Sequence, residues 1–283
     1  MYEPFSLAAI QWSTALARKR VPFGVQAAEN IDREMPLPLC RLRARVLRRA
    51  SFVAARSPSA AELARRWGAR GEVGLAPHAV PAWEAAPKPA DTTFTVGFAG
   101  RLVESKGLGD LLAAMRLLEA PVELLLFGNG ELRPELEGQP IPGSKVRVLD
   151  DIPHDRMAAA YAQCDVFALP SRTTETWKEQ FGRVLVEALW CGVPVVGSNS
   201  GEIPWVIEET GGGLVFPEGD SAALADRLAR LRGDPALRRE LADTGREKVS
   251  RLFSMEAATD ALEGLLERAG EGSDRQGRAA ISA

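Results

Sequence analysis

Apolar and polar positions follow two alternating patterns from residue 93 onward. Runs that are apolar at nearly every position occur at residues 95–99, 122–127, 146–149, 166–169, 193–196 and 213–216. Between these runs, apolar residues recur every three or four positions, which is the spacing of one helix face. These helical patterns cover residues 110–118, 156–162, 183–190 and 222–231. Continuously apolar strands are typical of parallel sheets covered on both faces. The alternation therefore predicts a doubly wound, Rossmann-like α/β domain.

A shorter block of the same kind precedes this domain. Helical patterns cover residues 7–18, 41–50 and 60–67, and strand-like runs cover residues 23–27, 52–55 and 73–76. Residues 81–89 contain three prolines and break both periods, so we predict a linker there. The predicted organisation is α/β with two Rossmann-like domains, residues 1–89 including the linker and residues 90–269. Residues 270–283 are rich in Gly, Ser and charge without an apolar period, and we predict a disordered tail.

Composition and charge mainly exclude other classes of protein, partner and site. The chain has 283 residues, enough for two domains, and its 46% hydrophobic and 26% charged residues are ordinary values for a soluble globular protein. A formal net charge of -3 creates no overall field that would attract a polyanion, so we expect no nucleic-acid partner. Cys40, Cys164 and Cys191 are odd in number and far apart, which favours neither a disulfide framework nor a zinc site. The cysteine pattern fits a reducing cytoplasm, and since we find neither a basic leader before an apolar core nor a run long enough to span a bilayer, we predict a cytoplasmic location.

The histidines and the adjacent acids do not predict a metal site. His78 and His154 are isolated, and loop positions beside prolines account for both. Asp150 and Asp151 are neighbours, so an extended chain directs their carboxylates to opposite sides. We therefore predict a structural loop at these acids, with nearby backbone groups available to a nucleotide base.

The first candidate site is the turn that follows the apolar run ending near Gly100. Arg101 and Lys106 flank this turn, and a helical pattern begins directly after it. In open α/β sheets, ligands bind at the carboxyl ends of strands, where helix dipoles and free amides favour phosphate. The two cations therefore suit a diphosphate held without a metal. From this turn alone, two solvated loop charges explain the same residues equally well.

The second candidate site is a pair of glutamates separated by seven residues. Glu179 lies just before a predicted helix, and Gly182 allows the amides of the first helical turn to approach a ligand closely. Glu187 lies inside the helix among apolar residues, so its carboxylate needs a hydroxyl or cationic partner, and a ribose diol supplies two hydroxyl donors. The alternative is an i,i+4 pair between Glu187 and Arg183, which leaves Glu179 unexplained.

Five segments in this order resemble glycosyltransferase family 4. They are residues 97–102 with Lys106 and Gly107, residues 127–130, residues 168–171, the block from Glu179 to residue 197, and the loop at residues 200–204. The resemblance covers most of residues 93–217. It implies a B-type fold of two Rossmann-like domains, a nucleotide diphosphate sugar (a UDP- or GDP-sugar) held mainly by the second domain, retention of the anomeric configuration and no metal requirement.

The same resemblance implies roles for individual residues. Arg101 and Lys106 match residues that bind the donor diphosphate, Glu187 matches the residue that holds the ribose, and Glu179 matches a glutamate that contacts the donor sugar near the reacting carbon. The expected donor-binding residues are Gly100, Arg101, Lys106, Phe181, Gly182 and Glu187, and the expected catalytic residues are Glu179, Arg101 and Lys106. The backbone amides around Phe181 and Gly182 complete the expected phosphate cradle.

The chain departs from the family pattern at its start. The family's first domain opens with a strand, a glycine-rich loop and further strand–helix units, whereas residues 1–7 resemble the middle of that domain. Tyr2 stands where many relatives have a histidine or an acid. We therefore expect an incomplete acceptor domain and an acceptor that is a carbohydrate, a lipid or a small molecule. The alternative is a module, or half of a split enzyme, that binds the nucleotide sugar without turnover.

One predicted helix is strongly basic. It combines a short apolar stripe of Leu42, Val46 and Leu47 with Arg41, Arg43, Arg45, Arg48 and Arg49. One interpretation is peripheral contact with an anionic membrane or a lipid phosphate. A solvated helix face is the favoured interpretation at this stage, because one short helix is weak support for membrane binding.

Overall fold

The computed structural model describes residues 3–83, 93–138, 141–150 and 152–281. Tyr2, Asp151 and most of the predicted linker at 81–89 lie outside these residues. The chain divides into two compact units, one formed by residues up to Ala79 together with those from Met255, and the other by Val80–Ser254.

The elements in chain order are α1 (Leu7–Arg18), β1 (Gly24–Ala27), α2 (Leu37–Arg49), β2 (Phe52–Ala55), α3 (Pro58–Arg66), β3 (Glu72–Leu75), β4 (Phe94–Ala99), α4 (Leu108–Leu117), β5 (Val122–Phe127), α5 (Arg133–Gly138), β6 (Lys145–Leu149), α6 (Met157–Tyr161), β7 (Val166–Leu169), α7 (Arg183–Trp190), β8 (Val195–Ser198), α8 (Ile203–Thr210), β9 (Gly213–Phe216), α9 (Ser221–Gly233), α10 (Pro235–Leu252) and α11 (Met255–Ile281). Single 3-10 turns lie at Glu104–Lys106 and His154–Arg156.

Side-chain caps start several of these helices. Ser6 accepts a hydrogen bond from an amide of the first turn of α1, and Ser57 does the same for α3. Asp220 and Asp234 cap α9 and α10 in the same way. Such caps satisfy amides that have no partner within the helix, and each stabilises its helix by about 1 kcal/mol.

The first unit contains a parallel sheet in the order β1-β2-β3. Its main core joins Val25 and Val53 of the sheet to Val46 and Leu47 of α2. The other side of β2 is covered by α11, whose Leu265 packs with Phe52 and Ala54. Burial on both sides explains why the run at β2 is apolar at every position.

The second unit contains a parallel sheet in the order β6-β5-β4-β7-β8-β9. Apolar side chains fill both faces, and every residue of β4, β7 and β8 is buried. The chain builds outward from β4 to β6 and then returns to add β7 on the other side of β4. This reversal creates a crevice beyond the carboxyl ends of β4 and β7, which is where ligands bind in doubly wound sheets.

The predicted strands correspond closely to the observed ones, with one informative shift. We predicted a strand at 193–196, whereas β8 is Val195–Ser198. The amide of Val193 donates to the carbonyl of Ala188 at 2.9 Å and closes the end of α7, and Pro194 has no amide hydrogen to donate. Helix closure therefore delays the start of the strand.

The carboxyl end differs from the predicted organisation. The unit boundary falls between Ala79 and Val80 rather than near residue 89, and the chain from Met255 belongs to the first unit. Residues 270–281, predicted to be disordered, continue α11 to Ile281. Local hydrogen bonding sustains a helix without an apolar face of its own once a packed segment has nucleated it. Among the described residues, no helix is both long and apolar enough to cross a bilayer.

Candidate functional site

Three loops meet beyond the carboxyl ends of β4, β7 and β8. A β-carbon on Gly107 would lie 1.8 Å from the carbonyl oxygen of Pro170, and one on Gly201 would lie 2.0 Å from the carbonyl oxygen of Glu179. Both glycines also have positive φ angles, +68° and +56°. Because only glycine tolerates both conditions, these two positions bring the loop backbones into direct contact.

An ion pair between Lys106 and Glu179 joins the two candidate sites predicted from the sequence. The Nζ of Lys106 lies 2.6 Å from Oε2 of Glu179, and the side chains are 15% and 12% exposed. The hydroxyl of Ser171 donates to the same carboxylate oxygen at 3.0 Å. The Lys106 ammonium also lies 4.6 Å from the centre of the Trp177 ring, within the range of a cation–π contact. Lys106, Ser171 and Glu179, which come from three separate motif segments, thus meet at the crevice of the sheet.

Small hydroxyl side chains line the same region. The hydroxyl of Ser198 donates to the carbonyl of Ser171 at 2.5 Å, and the hydroxyls of Thr173 and Ser200 lie 3.0 Å apart. Ser171, Ser198 and Ser200 are fully buried. Ser171 and Ser200 lie in segments that the sequence singled out without giving either serine a role, and Ser198 was missed. The sequence signal that could have identified them is a serine at the end of a buried strand, or within two residues after it, in both β7 and β8.

A second ion pair fixes the loop that follows β7. The guanidinium of Arg172 donates to both carboxylate oxygens of Asp110 at 2.6 and 2.5 Å, and Asp110 is buried. The hydrogen bonds to Asp110 raise the pKa of Arg172 above its ordinary value. The amide of Arg172 also donates to the carbonyl of Ser105 at 2.8 Å, so loop and turn are tied by backbone and side chain together. We did not predict this pair from the sequence.

Gly182 sets the geometry at the amino end of α7. It has φ 75° and ψ 48°, the left-handed region, and no side chain caps the helix there. The side chain of Phe181 packs in the core against Phe253 and Trp205, with ring centres 5.4 and 6.1 Å away. The side chain of Phe181 is therefore occupied by core packing, and the donor-binding role expected of the backbone at these two positions stays a prediction.

Glu187 is buried and already has protein partners. The hydroxyl of Tyr161 donates to Oε2 at 2.7 Å. The Nε of Arg183 lies 2.9 Å from Oε1, but its direction is not that of a hydrogen bond, and Oε1 has no aligned donor. The structure thus contains the i,i+4 pair that we weighed as an alternative. Burial, followed by the charge of Glu187, raises the pKa of Tyr161 well above its usual range and that of Cys191 to about 12.

Arg101 is not part of the Lys106–Glu179 cluster. Its side chain is exposed, and no ion pair or hydrogen bond joins its guanidinium to another residue within the described ranges. The preceding Gly100 has φ +148°, and a β-carbon on Gly128 would lie 2.0 Å from the Gly100 carbonyl oxygen. Gly128 is thus needed for the close approach of these two loops, whereas the side chain of Arg101, next to Gly100, is exposed to solvent.

Two other features complete the description of this edge. Asp150 pairs with Arg133, which agrees with a structural loop role, while Asp151 is outside the described residues. A cavity of about 420 Å³ borders the same turn and loop, but no predicted donor residue lines it, and its walls include Glu104 and Glu135. Arg172 also lines this cavity but is paired with Asp110, so the two acids make the cavity a poor match for a diphosphate. In the described part of the chain, no three His, Cys, Asp or Glu side chains cluster as metal ligands would.

Sequence comparison finds relatives among enzymes of polysaccharide and glycolipid synthesis. AmsK, an amylovoran biosynthesis glycosyltransferase of Erwinia amylovora, is 33% identical over 175 residues, 59% of this chain and 43% of AmsK. A phosphatidyl-myo-inositol mannosyltransferase of Mycobacterium leprae is 37% identical over 164 residues, 56% of this chain and 42% of that protein. The chain spans about half the length of the curated relatives it matches.

Structure comparison identifies the same fold in solved glycosyltransferases. HepE of Anabaena, in complex with UDP, has a TM-score of 0.79 at 22% identity, covering 92% of this chain and 76% of HepE. Sucrose-phosphate synthase of Thermosynechococcus elongatus has a TM-score of 0.71 at 25% identity, covering 92% and 71%. These similarities confirm the predicted α/β class with Rossmann-like domains of the B type.

The family model described as glycosyl transferases group 1 matches residues 80–248. This range includes Glu179 and Glu187, the Lys106–Glu179 and Arg172–Asp110 ion pairs, and the whole sheet from β4 to β9. Because the match covers more than half of the chain, the protein belongs to the glycosyl transferases group 1 family.

Proposed function

We propose that this protein is a retaining glycosyltransferase of family 4 that moves a sugar from a UDP- or GDP-sugar to a carbohydrate, lipid or small-molecule acceptor. The observation that carries the proposal is the Lys106–Glu179 pair, which lies at the crevice of a doubly wound sheet within the matched family region. Related proteins support both nucleotides: HepE has been crystallised with UDP-glucose, and a relative from Corynebacterium glutamicum is described as GDP-mannose-dependent.

Lys106 and the amino end of α7 would hold the donor diphosphate. The ammonium of Lys106 has three donors, of which one is directed at Glu179, so the others remain for phosphate oxygens. The uncapped amides after Gly182 and the helix dipole add favourable interactions with an anion. Arg101 would contribute by turning its exposed side chain toward the phosphates, and no ion pair to a described residue has to break first.

These groups stabilise the leaving group in the proposed reaction. When the bond between the anomeric carbon and the diphosphate oxygen breaks, the electron pair stays on the diphosphate. Preorganised cations and amides lower the energy of that developing charge without reorganising during the reaction. The acceptor oxygen then forms the new bond to the anomeric carbon, and the proton of the acceptor hydroxyl passes to the leaving diphosphate oxygen. No metal is needed in this scheme, because the cations supply the charge compensation.

Glu179 and Glu187 have separate proposed roles. Glu179 would contact the donor sugar, with its carboxylate held in place by Lys106 and Ser171. Glu187 would accept hydrogen bonds from the ribose hydroxyls. Support for this role is its Oε1 atom, which is buried without an aligned hydrogen-bond donor. The ribose would supply the donor that the protein does not.

Calorimetric titration of the full chain with UDP, GDP, UDP-glucose and GDP-mannose tests the donor site. We expect one nucleotide to bind, with Lys106→Ala and Glu187→Ala each weakening it about ten- to a hundredfold, the usual range for one charge-assisted hydrogen bond. Lys145→Ala removes an exposed lysine at the start of β6 and is the matched control that should bind like wild type. Addition of a chelator should leave the affinity unchanged.

Contrary outcomes are specific to each part of the proposal. No binding by a chain shown to be folded would contradict the donor site. Equal losses in Lys106→Ala and Lys145→Ala would mean that net charge, and not the site, governs binding. A product with inverted anomeric configuration would exclude the retaining mechanism. Binding without any transfer to supplied acceptors would favour a nucleotide-sugar-binding module.

A further inference from the structure

The charges of this chain are divided unequally between its two parts. Residues 1–79 contain 13 Lys and Arg against 6 Asp and Glu, a formal charge of +7, whereas residues 80–283 contain 22 against 32, a formal charge of -10. The overall value of -3 therefore hides a strongly basic first part. No acid occurs at residues 6–28 or at residues 35–61, the stretches that form α1 and α2.

The outer face of α2 concentrates this charge. Arg41, Arg45, Arg48 and Arg49 are all exposed, while Arg43 is buried on the inner face beside Val46 and Leu47. The sequence pattern predicted Arg43 on the basic side of this helix with the other arginines, and that prediction was wrong because the side chain is buried. Within the part of the chain that the structure describes, none of the four exposed side chains forms an ion pair with an acid.

A row of like charges lowers the stability of a helix whose outer face meets only water. Arg41 and Arg45 are four residues apart, as are Arg45 and Arg49, and like charges at that spacing destabilise a helix. Solvent-exposed helix faces usually mix both signs, so that neighbouring side chains attract each other. An unmixed row of arginines is therefore better explained by an external anionic partner.

Large apolar side chains are exposed on the same helix and on α1, which packs against it. Leu37, which begins α2, is 72% exposed, and Leu42 is 36% exposed. The neighbouring helix α1 exposes Leu7 and Trp12, at 69% and 61%. A surface that combines arginines with leucine and tryptophan matches a membrane interface, where headgroups bind the cations and the acyl boundary receives the apolar tips. A nucleic acid would use the arginines but would leave the leucines in water.

We propose that the outer face of α2, with the exposed apolar residues of α1, docks on a membrane surface that contains anionic phospholipids. The arginines bind headgroup phosphates and carboxylates, and Leu37, Leu42 and Trp12 insert at the edge of the acyl region. The proposal is independent of the donor site, because every residue involved lies in the first unit.

Vesicle co-sedimentation of the full chain tests this surface. We expect binding to vesicles of phosphatidylcholine with phosphatidylserine, and weak binding to phosphatidylcholine alone. One basic residue near an anionic surface typically contributes about fivefold to partitioning. Arg41→Glu/Arg45→Glu should therefore reduce partitioning at least about 25-fold. Arg230→Glu/Arg239→Glu makes the same charge change on exposed arginines of α9 and α10 and should have little effect.

A second pair of variants separates lipid from other polyanions. Leu37→Ser/Leu42→Ser should lower vesicle binding several-fold while leaving binding to duplex DNA and heparin unchanged. The proposal is overturned if the arginine variant binds vesicles like wild type, if the control variant loses as much, or if DNA is bound more tightly than the anionic vesicles. Circular dichroism of every variant confirms that the helices are intact. Unchanged UDP or GDP affinity separates this result from the donor-site titration.

Discussion

The ion pair between Lys106 and Glu179 allows a quantitative test of how the two motif segments cooperate. It joins residues 73 positions apart in the chain across a distance of 2.6 Å. We would make Lys106→Met, Glu179→Gln and the double variant, since these replacements keep side-chain size and remove the charges. The pair also connects the turn after β4 to the loop after β7, so its loss should loosen both strands at their carboxyl ends.

The structure sets the expected magnitude. At 2.6 Å and an effective dielectric constant of about 20, the attraction is about 6 kcal/mol before desolvation is subtracted. Breaking a fully buried pair costs about 3–5 kcal/mol, because the remaining charge is left without its partner. Both side chains here keep some exposure, 15% and 12%, and Ser171 still donates to Glu179. We therefore expect each single variant to lose about 2–3 kcal/mol, and a coupling of about 1–3 kcal/mol in the double variant.

Hydrogen exchange measured by mass spectrometry is the suitable assay. The chain has two compact units, so one global unfolding transition would mix their contributions. Peptides that cover β4 and β7 report the affected region directly. Faster exchange in each single variant, partly restored in the double variant, is the expected pattern. Additive effects, with a coupling below about 0.5 kcal/mol, would refute the conclusion that these two charges stabilise each other.

Four further predictions concern positions with well-defined surroundings. Gly107→Ala should cost more than about 3 kcal/mol, since φ is +68° and the added carbon would lie 1.8 Å from the carbonyl oxygen that follows β7. Gly109→Ala, which meets nothing within 4 Å in the first turn of a helix, should instead stabilise by about 0.5–1 kcal/mol, and hydrogen exchange in peptides that cover α4 checks both glycine variants. Tyr161→Phe removes the donor to buried Glu187 and should cost about 1.5–3 kcal/mol; because burial raises the pKa of Tyr161, that loss should stay constant from neutral pH to about pH 9, and a loss that shrinks within this range would contradict it. Burial also raises the pKa of Glu3, so the stability that its protonated carboxyl contributes is fully present below the ordinary value of 4.5 and is lost as the pH rises through the raised pKa. Glu3→Gln, which cannot ionise, should therefore raise the melting temperature at pH 7 and give no gain at pH 4. A gain at pH 4 but not at pH 7 would contradict this prediction.

Secondary structure was readable where local pattern and burial agree. The runs at β2, β5, β7 and β9 were predicted with the observed bounds, because strands of such parallel sheets are apolar at nearly every position, Glu123 of β5 being an exception. The predicted start of β8 was wrong by two residues, since Val193 closes the preceding helix instead of pairing in the sheet. The local pattern of apolar residues does not reveal whether a given backbone amide will donate its hydrogen bond within a helix or in the strand that follows.

The two segments of the candidate site were predicted separately, and in the structure they touch through Lys106 and Glu179. Residue types and spacing singled out Lys106, Glu179, Gly182 and Glu187. They did not reveal that Lys106 contacts Glu179, because that distance depends on the order of β4 and β7 in the sheet. They also did not reveal Tyr161 as the partner of Glu187, since α6 carries no motif that identifies it.

The amino-acid sequence by itself determined the α/β class and the alternation of strands and helices, and it singled out the residues of the proposed donor site, because these follow from local periodicity and from motifs that are contiguous in the chain. Only the tertiary structure decided which charges are paired and which are exposed. It paired Arg172 with buried Asp110, left Arg101 outside the cluster and turned Arg43 inward while four neighbouring arginines face outward. The physical reason is that charge pairing and burial depend on distances between elements far apart in the chain, and strand order sets those distances.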